Sequence, residues 1–455
     1  MNPKLNFHSL VLILLIFHAS FSFSFGRNQK DPLAISLRQA YGHHNNQNDR
    51  TNELEFPSLL KSKSDYNTHG LMTRFSRATR SPSSYSSSSP QIFNVDDFGA
   101  RGDGTDDSQA FIKAWNRACS SKVGVILVPQ NRVYHLKPIT FSGPCKSSQL
   151  TMRISGIIKA SPRRSDYEKD TRHWMVFDSV QNLRVEGGGT INGNGRKWWK
   201  NSCKINKALA VTFYECKNLR VANLRFKNAQ QMHLNFQKCV NVQVVNLRVI
   251  APGNSPNTDG IHITDTQNIQ IMNSVIKTGD DCISIVSGSK NVRATDITCG
   301  PGHGISIGSL GAGNSEAEVS NVIVNRARFS GTTNGVRIKT WQGGSGYAKN
   351  IIFQNIAMRN VSNPIIIDQN YCDQDEPCHE QDSAVQISNV MYNNIKGTSD
   401  SQVAVKFECS KSFPCQGISL QNVNFVREGE GEVEASCENV SFDKSGRVSP
   451  KCSNI

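Results

Sequence analysis

One short pattern recurs through most of the sequence and restricts the fold more than any other feature. Each copy is an Asn followed by residues that alternate between apolar and polar. The copies lie 23 to 39 residues apart, and no stretch between them shows a convincing helical period. They begin at Asn182, Asn218, Asn241, Asn268, Asn291, Asn321, Asn350 and Asn389.

This repeat predicts an all-β solenoid. Alternation at period two, rich in Val, Ile and Phe, is typical of half-buried strands. Strands that return every 20 to 40 residues or so, at about one supersecondary unit per repeat, indicate stacked coils. We therefore expect a right-handed parallel β-helix. A β-sandwich is the alternative, since short strands at regular spacing also occur in that fold, but hairpin turns are scarce here.

A segment that precedes the repeats has helical spacing instead. Residues 108–118 place Ala110, Phe111, Ala114 and Trp115 on one helical face. A solenoid needs its open end covered, because an exposed edge strand can pair with other molecules. We expect this short helix to cap the N-terminal end.

The N-terminal region differs from the rest in composition. The apolar run at residues 10–17, which follows a short charged start, predicts a signal peptide over residues 1–25. A buried core helix is the other interpretation, whereas a membrane span needs about twenty apolar residues. Residues 26–90 hold few large apolar residues and a serine run, which is typical of a propeptide or of a flexible Ser-rich N-terminal segment. Residues 91–455 then form the β-helix domain.

Cysteines, sequons and charge agree with secretion. Thirteen cysteines in the oxidising secretory route imply disulfides, and the odd count implies that one thiol is left over or that one partner has been lost. Asn360 and Asn439 lie in glycosylation sequons. The net charge of +14 favours an acidic partner, which could be a polysaccharide, a nucleic acid or an anionic surface, or it serves solubility alone.

Polar clusters recur at about one coil of spacing. In a β-helix, neighbouring coils are about 4.8 Å apart, so the clusters should meet on one surface. Taken singly they are ordinary turns, a loop histidine and a solvated edge, and paired Asp residues can also bind calcium. Their recurrence in coil register favours a functional site instead. They are Asn257 to Gly260, Gly279 to Cys282, Gly302 to Gly304, and Arg337 to Lys339.

These clusters contain the groups that glycoside hydrolysis needs. Asp259, Asp280 and Asp281 would repel one another, so at least one carboxyl should keep its proton to higher pH than a free carboxyl does. An acid and a base could then act together. Arg337 and Lys339 lie two residues apart, on one strand face, and could bind the carboxylate of an acidic sugar.

The sequence from Phe93 to Cys452 resembles plant polygalacturonases, glycoside hydrolases that cleave pectin. The resemblance rests on NVDDFGA at residues 94–100 with GDG at 102–104, on NTDG and GDDC in the clusters above, on CGPGHGISIGSL at 299–310 and on GVRIKTW at 335–341. It implies a secreted enzyme of the cell wall that acts as a monomer on polygalacturonate or pectin. It also implies no cofactor, no metal, no nucleic-acid partner and no membrane contact once the signal is removed.

The same resemblance implies roles for individual residues. Asp280 is similar to the general acid, Asp259 and Asp281 to the pair that activates the attacking water, and His303 to a histidine that tunes the acid. The family inverts configuration, which requires an acid and a base about 6.5–9.5 Å apart with water between them. The substrate-binding residues that the resemblance implies are Arg337, Lys339, Asn257 and Tyr371.

Two other functions stay open on the sequence alone. A calcium-dependent pectate lyase would use the carboxylates as metal ligands and an Arg as base, but it leaves His303 and the Arg337/Lys339 pair without a role. A non-catalytic cell-wall protein that binds pectin would keep the cleft and lack the reaction.

The cysteines allow a specific set of pairings. Short sequence separations favour five disulfides, which are Cys119–Cys145, Cys282–Cys299, Cys372–Cys378, Cys409–Cys415 and Cys437–Cys452. Cys216 and Cys239 fall at matching places in neighbouring coils, so we expect buried free thiols there. Cys203 lies in a loop that is shorter than in the similar polygalacturonases and lacks their second cysteine, so we expect an accessible thiol.

Overall fold

The computed structural model describes residues 89–200, 209–374 and 378–452. The predicted signal peptide, nearly all of the predicted propeptide, and Cys203 lie outside these residues. Among the residues described, no helix combines the length and the apolar character needed to cross a membrane.

The described chain is built from short strands. The first fifteen are β1 (Gln91–Asn94), β2 (Asp103–Asp106), β3 (Val123–Val128), β4 (Val133–Leu136), β5 (Ile139–Ser142), β6 (Gln149–Ile154), β7 (Ile157–Ala160), β8 (His173–Asp178), β9 (Leu183–Glu186), β10 (Thr190–Asn192), β11 (Leu209–Tyr214), β12 (Lys217–Ala222), β13 (Arg225–Lys227), β14 (Leu234–Gln237) and β15 (Val240–Val245). The next fifteen are β16 (Arg248–Ile250), β17 (Ile261–Thr264), β18 (Gln267–Lys277), β19 (Ile283–Ile285), β20 (Lys290–Cys299), β21 (Ile305–Leu310), β22 (Glu316–Ser330), β23 (Asn334–Trp341), β24 (Ser345–Val361), β25 (Asn363–Tyr371), β26 (Gln386–Ser399), β27 (Val403–Glu408), β28 (Cys415–Arg427), β29 (Glu434–Glu438) and β30 (Val440–Ser449). The helical segments are α1 (Ser108–Ser120), α2 (Arg196–Trp199) and 3-10 turns at Val95–Phe98, Arg164–Tyr167 and Ala312–Asn314.

The strands form two parallel sheets. Eleven of them make one sheet in the order β5, β8, β11, β14, β17, β19, β21, β23, β25, β27 and β29, and the other nineteen make the second. The chain passes from the eleven-strand sheet to the nineteen-strand sheet and back once in each coil, for example through β14, β15, β16 and β17. Parallel crossovers of this kind are right-handed in nearly all proteins. The predicted right-handed parallel β-helix is confirmed, and the sandwich alternative, which needs antiparallel sheets, is wrong.

Rows of buried residues that pair in register from coil to coil fill the interior. Ile261, Ile283, Ile305, Val336 and Ile365 pair directly across five coils and are completely buried. At the N-terminal end the interior is aromatic instead, and three successive ring pairs stack with centroids 5.2, 5.0 and 5.2 Å apart. The rings belong to Phe141, Phe177, Phe213 and Phe236. Because every buried residue stacks on its equivalent, apolar character must recur once in each coil, which produces the repeat seen in the sequence.

Helix α1 forms where the spacing predicted a helix. The apolar face of α1 is buried and contacts β1, β3 and β5, which belong to the first coils. Its Trp115 ring lies 4.9 Å from that of Phe141 at the start of the aromatic stack, and its indole N–H donates to the Ser142 carbonyl at 3.0 Å.

The recurring Asn marks a turn at the same place in each coil. Each of these residues has a φ between 54° and 59°, in the left-handed region that Asn tolerates better than most residues do. Seven amide hydrogen bonds of 2.9 to 3.3 Å join each Asn Nδ2 to the Oδ1 of the preceding one. We call this the asparagine ladder, and its members are the eight residues Asn182, Asn218, Asn241, Asn268, Asn291, Asn321, Asn350 and Asn389. The ladder keeps successive coils in register.

The cysteines pair as predicted. The structure contains the five predicted disulfides, and Cys216 and Cys239 are buried free thiols. The Cys282–Cys299 disulfide lies beside the polar clusters and joins the start of β19 to the end of β20.

Candidate active site

The polar clusters meet on the eleven-strand sheet, near the N-terminal ends of neighbouring strands. Asp259, Asp281 and His303 each stand two residues before β17, β19 and β21, three strands that pair in register. The Gly260 N–H donates to the Asp281 carbonyl at 2.9 Å, and the His303 N–H donates to the Asp280 carbonyl at 2.9 Å. These bonds stack the three turns, so their side chains project from neighbouring coils.

Asp281 is held by two cationic side chains and a hydroxyl group. Its Oδ1 accepts from Ser306 Oγ at 2.7 Å and from an Arg337 NH2 at 3.0 Å, and its Oδ2 accepts from Lys339 Nζ at 3.2 Å. Only 2% of Asp281 is exposed. Because a buried charge without partners is costly, two cations and a hydroxyl group compensate this carboxylate.

Asp280 pairs with His303. Its Oδ1 lies 3.0 Å from His303 Nδ1 and accepts from the Asp281 N–H at 2.7 Å, and Asn257 Nδ2 lies 3.4 Å from Oδ2. Burial raises the pKa of Asp280, but the hydrogen bond and charge of His303, together with the Asp281 N–H and the charge of Lys339, outweigh it and leave the pKa below its ordinary value. The same hydrogen bond raises the pKa of His303. The pair therefore retains one proton to a higher pH than a free imidazole would.

The pKa of Asp259, by contrast, is raised above its ordinary value. Burial is the main cause that raises its pKa, and the charges of Asp280 and Asp281 raise it further. Ser284 Oγ donates to its Oδ2 at 2.7 Å, and His262 Nδ1 lies 3.6 Å from the same oxygen. The sequence predicted that one crowded carboxyl would keep its proton to higher pH, and in this structure the description fits Asp259, with burial as the larger cause.

Tyr371 closes one side of the site. It ends β25, its ring centroid lies 5.3 Å from Lys339 Nζ, and its edge meets the Trp341 ring with centroids 5.4 Å apart. Burial raises the pKa of its phenol to about 12, so the hydroxyl group remains neutral and can donate a hydrogen bond.

The model of the family named "Glycosyl hydrolases family 28" matches residues 81–450. The chain belongs to this family. Its similar relatives include "Polygalacturonase QRT2" of Arabidopsis thaliana, 56% identical over 456 residues that cover 97% of this chain and 98% of the relative. "Polygalacturonase-2" of Solanum lycopersicum is 59% identical over 374 residues, which cover 80% of this chain and 81% of the relative.

Solved structures support the fold of this family 28 chain. A polygalacturonase from Erwinia carotovora superposes with a TM-score of 0.66 at 22% identity, covering 81% of this chain and all of that one. An exopolygalacturonase from Thermotoga maritima gives a TM-score of 0.64 at 21% identity, with 78% and 92% covered. At such low identity these two likenesses establish the β-helix and nothing finer.

Three residues of the family 28 site were not predicted from the sequence. His262, Ser284 and Ser306 contact the carboxylates, and together with Arg337 they form one row of direct register partners. His262 stands three residues after Asp259, Ser284 three after Asp281, and Ser306 three after His303. That constant offset was the available signal, and aligning the coils by their clusters would have revealed it.

The site could also accommodate a metal ion on spacing alone. Ligand atoms of Asp280, Asp281 and His303 lie within 4.8 Å of one another. However, both oxygens of Asp281 already face the cationic groups of Arg337 and Lys339, which would repel a divalent cation. The arrangement suits an anionic ligand better than a cation.

Proposed function

We propose that this chain is a polygalacturonase, which hydrolyses the α-1,4-galacturonosyl linkages of pectin and polygalacturonate with inversion at the anomeric carbon. The observation that carries the proposal is the contact of Asp281 with Arg337 and Lys339 at 3.0 and 3.2 Å, beside the Asp280–His303 pair on the same surface. It combines acid–base groups with cations suited to an acidic sugar.

Asp280 acts as the general acid in this proposal. In the free protein the proton of the Asp280–His303 pair resides mainly on the imidazole, since the pKa of Asp280 is lowered and that of His303 is raised. A bound sugar excludes water from the pair, which raises the pKa of a carboxyl group and lowers that of an imidazole. The proton then moves to Asp280 and from there to the glycosidic oxygen. Asn257, which contacts the other oxygen of Asp280, orients the carboxyl group.

Asp259 and Asp281 position and activate the attacking water. Inversion requires that the water enter from the face opposite the acid, with about 6.5–9.5 Å between the acid and base carboxyl groups. The contacts of Asp281 leave Arg337 and Lys339 beside the water position, where they can also bind the carboxylate of the sugar at the cleavage point. Tyr371 lies next to Lys339 and contacts the same sugar.

We also propose a compartment and an oligomeric state for the chain. The two relatives named above come from the plants Arabidopsis thaliana and Solanum lycopersicum, and the predicted signal peptide, the sequons and the five disulfides support secretion to the cell wall. We propose that the secreted chain acts as a monomer, since one chain carries every residue of the site.

Release of new reducing ends from polygalacturonate tests this function. Asp280→Asn removes the transferable proton at nearly constant volume, so the rate should fall about a hundred- to ten-thousandfold. Asp296→Asn, an exposed carboxylate on the nineteen-strand sheet, is the matched control and should retain full activity. An Asp280→Asn rate within about threefold of the unmodified chain would overturn the assignment of the acid.

The same assay separates the two alternative functions. A lyase would lose activity with a chelator and yield unsaturated products, whereas the proposed hydrolase tolerates the chelator and yields none. A non-catalytic binding protein would bind polygalacturonate and release no reducing ends at all.

A further inference from the structure

A groove lies on the nineteen-strand sheet, away from the candidate active site. Its cavity volume is about 650 Å³. Binding sites for small molecules or polymer segments commonly have volumes of about 300–1,000 Å³. The lining groups are guanidinium, amide and hydroxyl groups with two apolar side chains, and among the described residues no Asp or Glu lines the groove.

A single row of register partners forms the floor of the groove and extends one coil beyond it, to Arg293, which does not line the groove. Arg184, Arg220, Gln243, Gln270 and Arg293 pair directly across β9, β12, β15, β18 and β20, one residue in each coil. We call these five residues the Arg-Gln row. Parallel strands lie about 4.8 Å apart, so the row offers one polar group at each such step along the β-helix axis.

The row places two positively charged residues directly opposite each other on neighbouring strands. Arg184 and Arg220 are direct partners, and like charges placed opposite each other on neighbouring strands destabilise a sheet. Arg220 donates to Gln243 Oε1 at 2.9 Å, a neutral acceptor that does not reduce the repulsion. Arg225 and Arg248 are paired in the same way outside the groove, so what distinguishes Arg184 and Arg220 is their place in a groove whose described lining holds no acidic group.

The asparagine ladder forms the wall beside the row. Asn182, Asn218, Asn241 and Asn268 line the groove with exposed side chains. Each ladder bond uses one N–H of an amide that has two, so the second N–H is left for a ligand. Amides suit the hydroxyl groups of sugars, and guanidinium groups suit carboxylates.

We propose that this groove binds a second segment of galacturonan, apart from the segment that is cleaved. The identity of the polymer rests on the proposed function, and its chemistry follows from the row: a linear chain that presents a carboxylate and hydroxyl groups at regular steps. A polymer held in two places on one protein has a raised effective concentration at the active site. The groove therefore increases turnover of long chains and leaves short oligomers unaffected.

The test compares two triple variants of equal charge. Arg184→Gln/Arg220→Gln/Arg293→Gln alters the row, and Arg225→Gln/Arg248→Gln/Arg328→Gln alters three other exposed arginines of the same sheet. Binding to long polygalacturonate is measured in full chains that also carry Asp280→Asn. Loss of three exposed charge contacts should weaken binding about tenfold in the row variant. The control variant should remain within about twofold of the parent.

Activity of the two variants with Asp280 intact gives a second readout. The row variant should have a lower kcat/KM on the long polymer and an unchanged value on a galacturonan oligomer too short to reach the groove. Equal losses in both triple variants would overturn the proposal in favour of general charge attraction, and so would unchanged binding in the row variant. If the unmodified chain binds the polymer through the row but releases no reducing ends, the proposed function fails while the groove stands.

Discussion

At the scale of single residues, two histidines each contact a carboxylate, but the pKa of Asp280 is lowered while that of Asp259 is raised. Burial raises the pKa of Asp280, but His303, together with the Asp281 N–H and the charge of Lys339, holds it below its ordinary value. His262 also lowers the pKa of Asp259, yet burial outweighs it and the pKa stays raised. The difference follows from contact distance and burial, because His303 lies 3.0 Å from its carboxylate while His262 lies 3.6 Å from one that is more deeply buried.

These directions predict a bell-shaped pH profile. Activity should fall at low pH when Asp259 takes up a proton, at a pH above the ordinary carboxyl value of 3.8. It should fall again at high pH when the Asp280–His303 pair loses its proton, at a pH above the ordinary imidazole value of 6.5. The measurement is kcat/KM against pH, which reports the free enzyme. A rate that rises steadily through neutral pH would contradict this assignment of acid and base.

Replacing His262 should move one limb of that profile alone. His262, 3.6 Å from Asp259, lowers the pKa of that carboxyl group, so His262→Gln should raise that pKa and shift the acidic limb to higher pH. The alkaline limb, which belongs to the Asp280–His303 pair, should stay in place. His135→Gln, a histidine on β4 of the other sheet, serves as the control and should leave both limbs unchanged. A uniform loss of rate at every pH would indicate a structural role for His262 instead.

At the scale of elements, the asparagine ladder contributes both a backbone conformation and a hydrogen bond. Asn321 has a φ of 58°, donates to Asn291 at 3.0 Å and accepts from Asn350 at 3.2 Å. Asn321→Ala loses both hydrogen bonds and strains the left-handed backbone, so the free energy of unfolding should fall by about 2 kcal/mol. Asn321→Gly keeps the backbone relaxed and should cost about 1 kcal/mol. Denaturant titration measures both, and equal losses would show that backbone conformation contributes nothing.

The stacked cysteines predict a pattern of thiol reactivity. Cys216 and Cys239 lie inside neighbouring coils, where their Sγ atoms donate to the Phe177 and Phe213 carbonyls at 3.5 and 3.3 Å. Burial raises the pKa of the Cys239 thiol, which suppresses the reactive thiolate. An alkylating reagent should modify neither thiol until denaturant is added. Cys203, outside the described residues, should react first, and peptide mapping that finds Cys203 in a disulfide would refute this expectation.

At the scale of the whole molecule, the sequence predicted the features that recur in every coil, but few of the side-chain contacts between coils. The turn asparagines, the buried rows and the polar clusters are periodic, so the fold and the meeting of the clusters could be inferred. The contact of Lys339 with Asp281 spans 58 residues across coils of unequal length, and spacing alone does not identify such partners. Burial also had to be known before the pKa directions of Asp259 and Asp280 could be separated, since both are aspartates in like-charged surroundings.

The five disulfides have a mechanical consequence. Each closes a loop of only 6 to 26 residues, so none of them ties one half of the β-helix to the other. Tension along the axis is therefore carried from coil to coil by the backbone hydrogen bonds, the asparagine ladder and the stacked interior, all of which act between neighbours. A chain pulled from its C-terminal end should unravel coil by coil, in force steps of about one coil each, like an array of repeats. Cys437–Cys452 would shorten the first step by shielding the residues it encloses from the load.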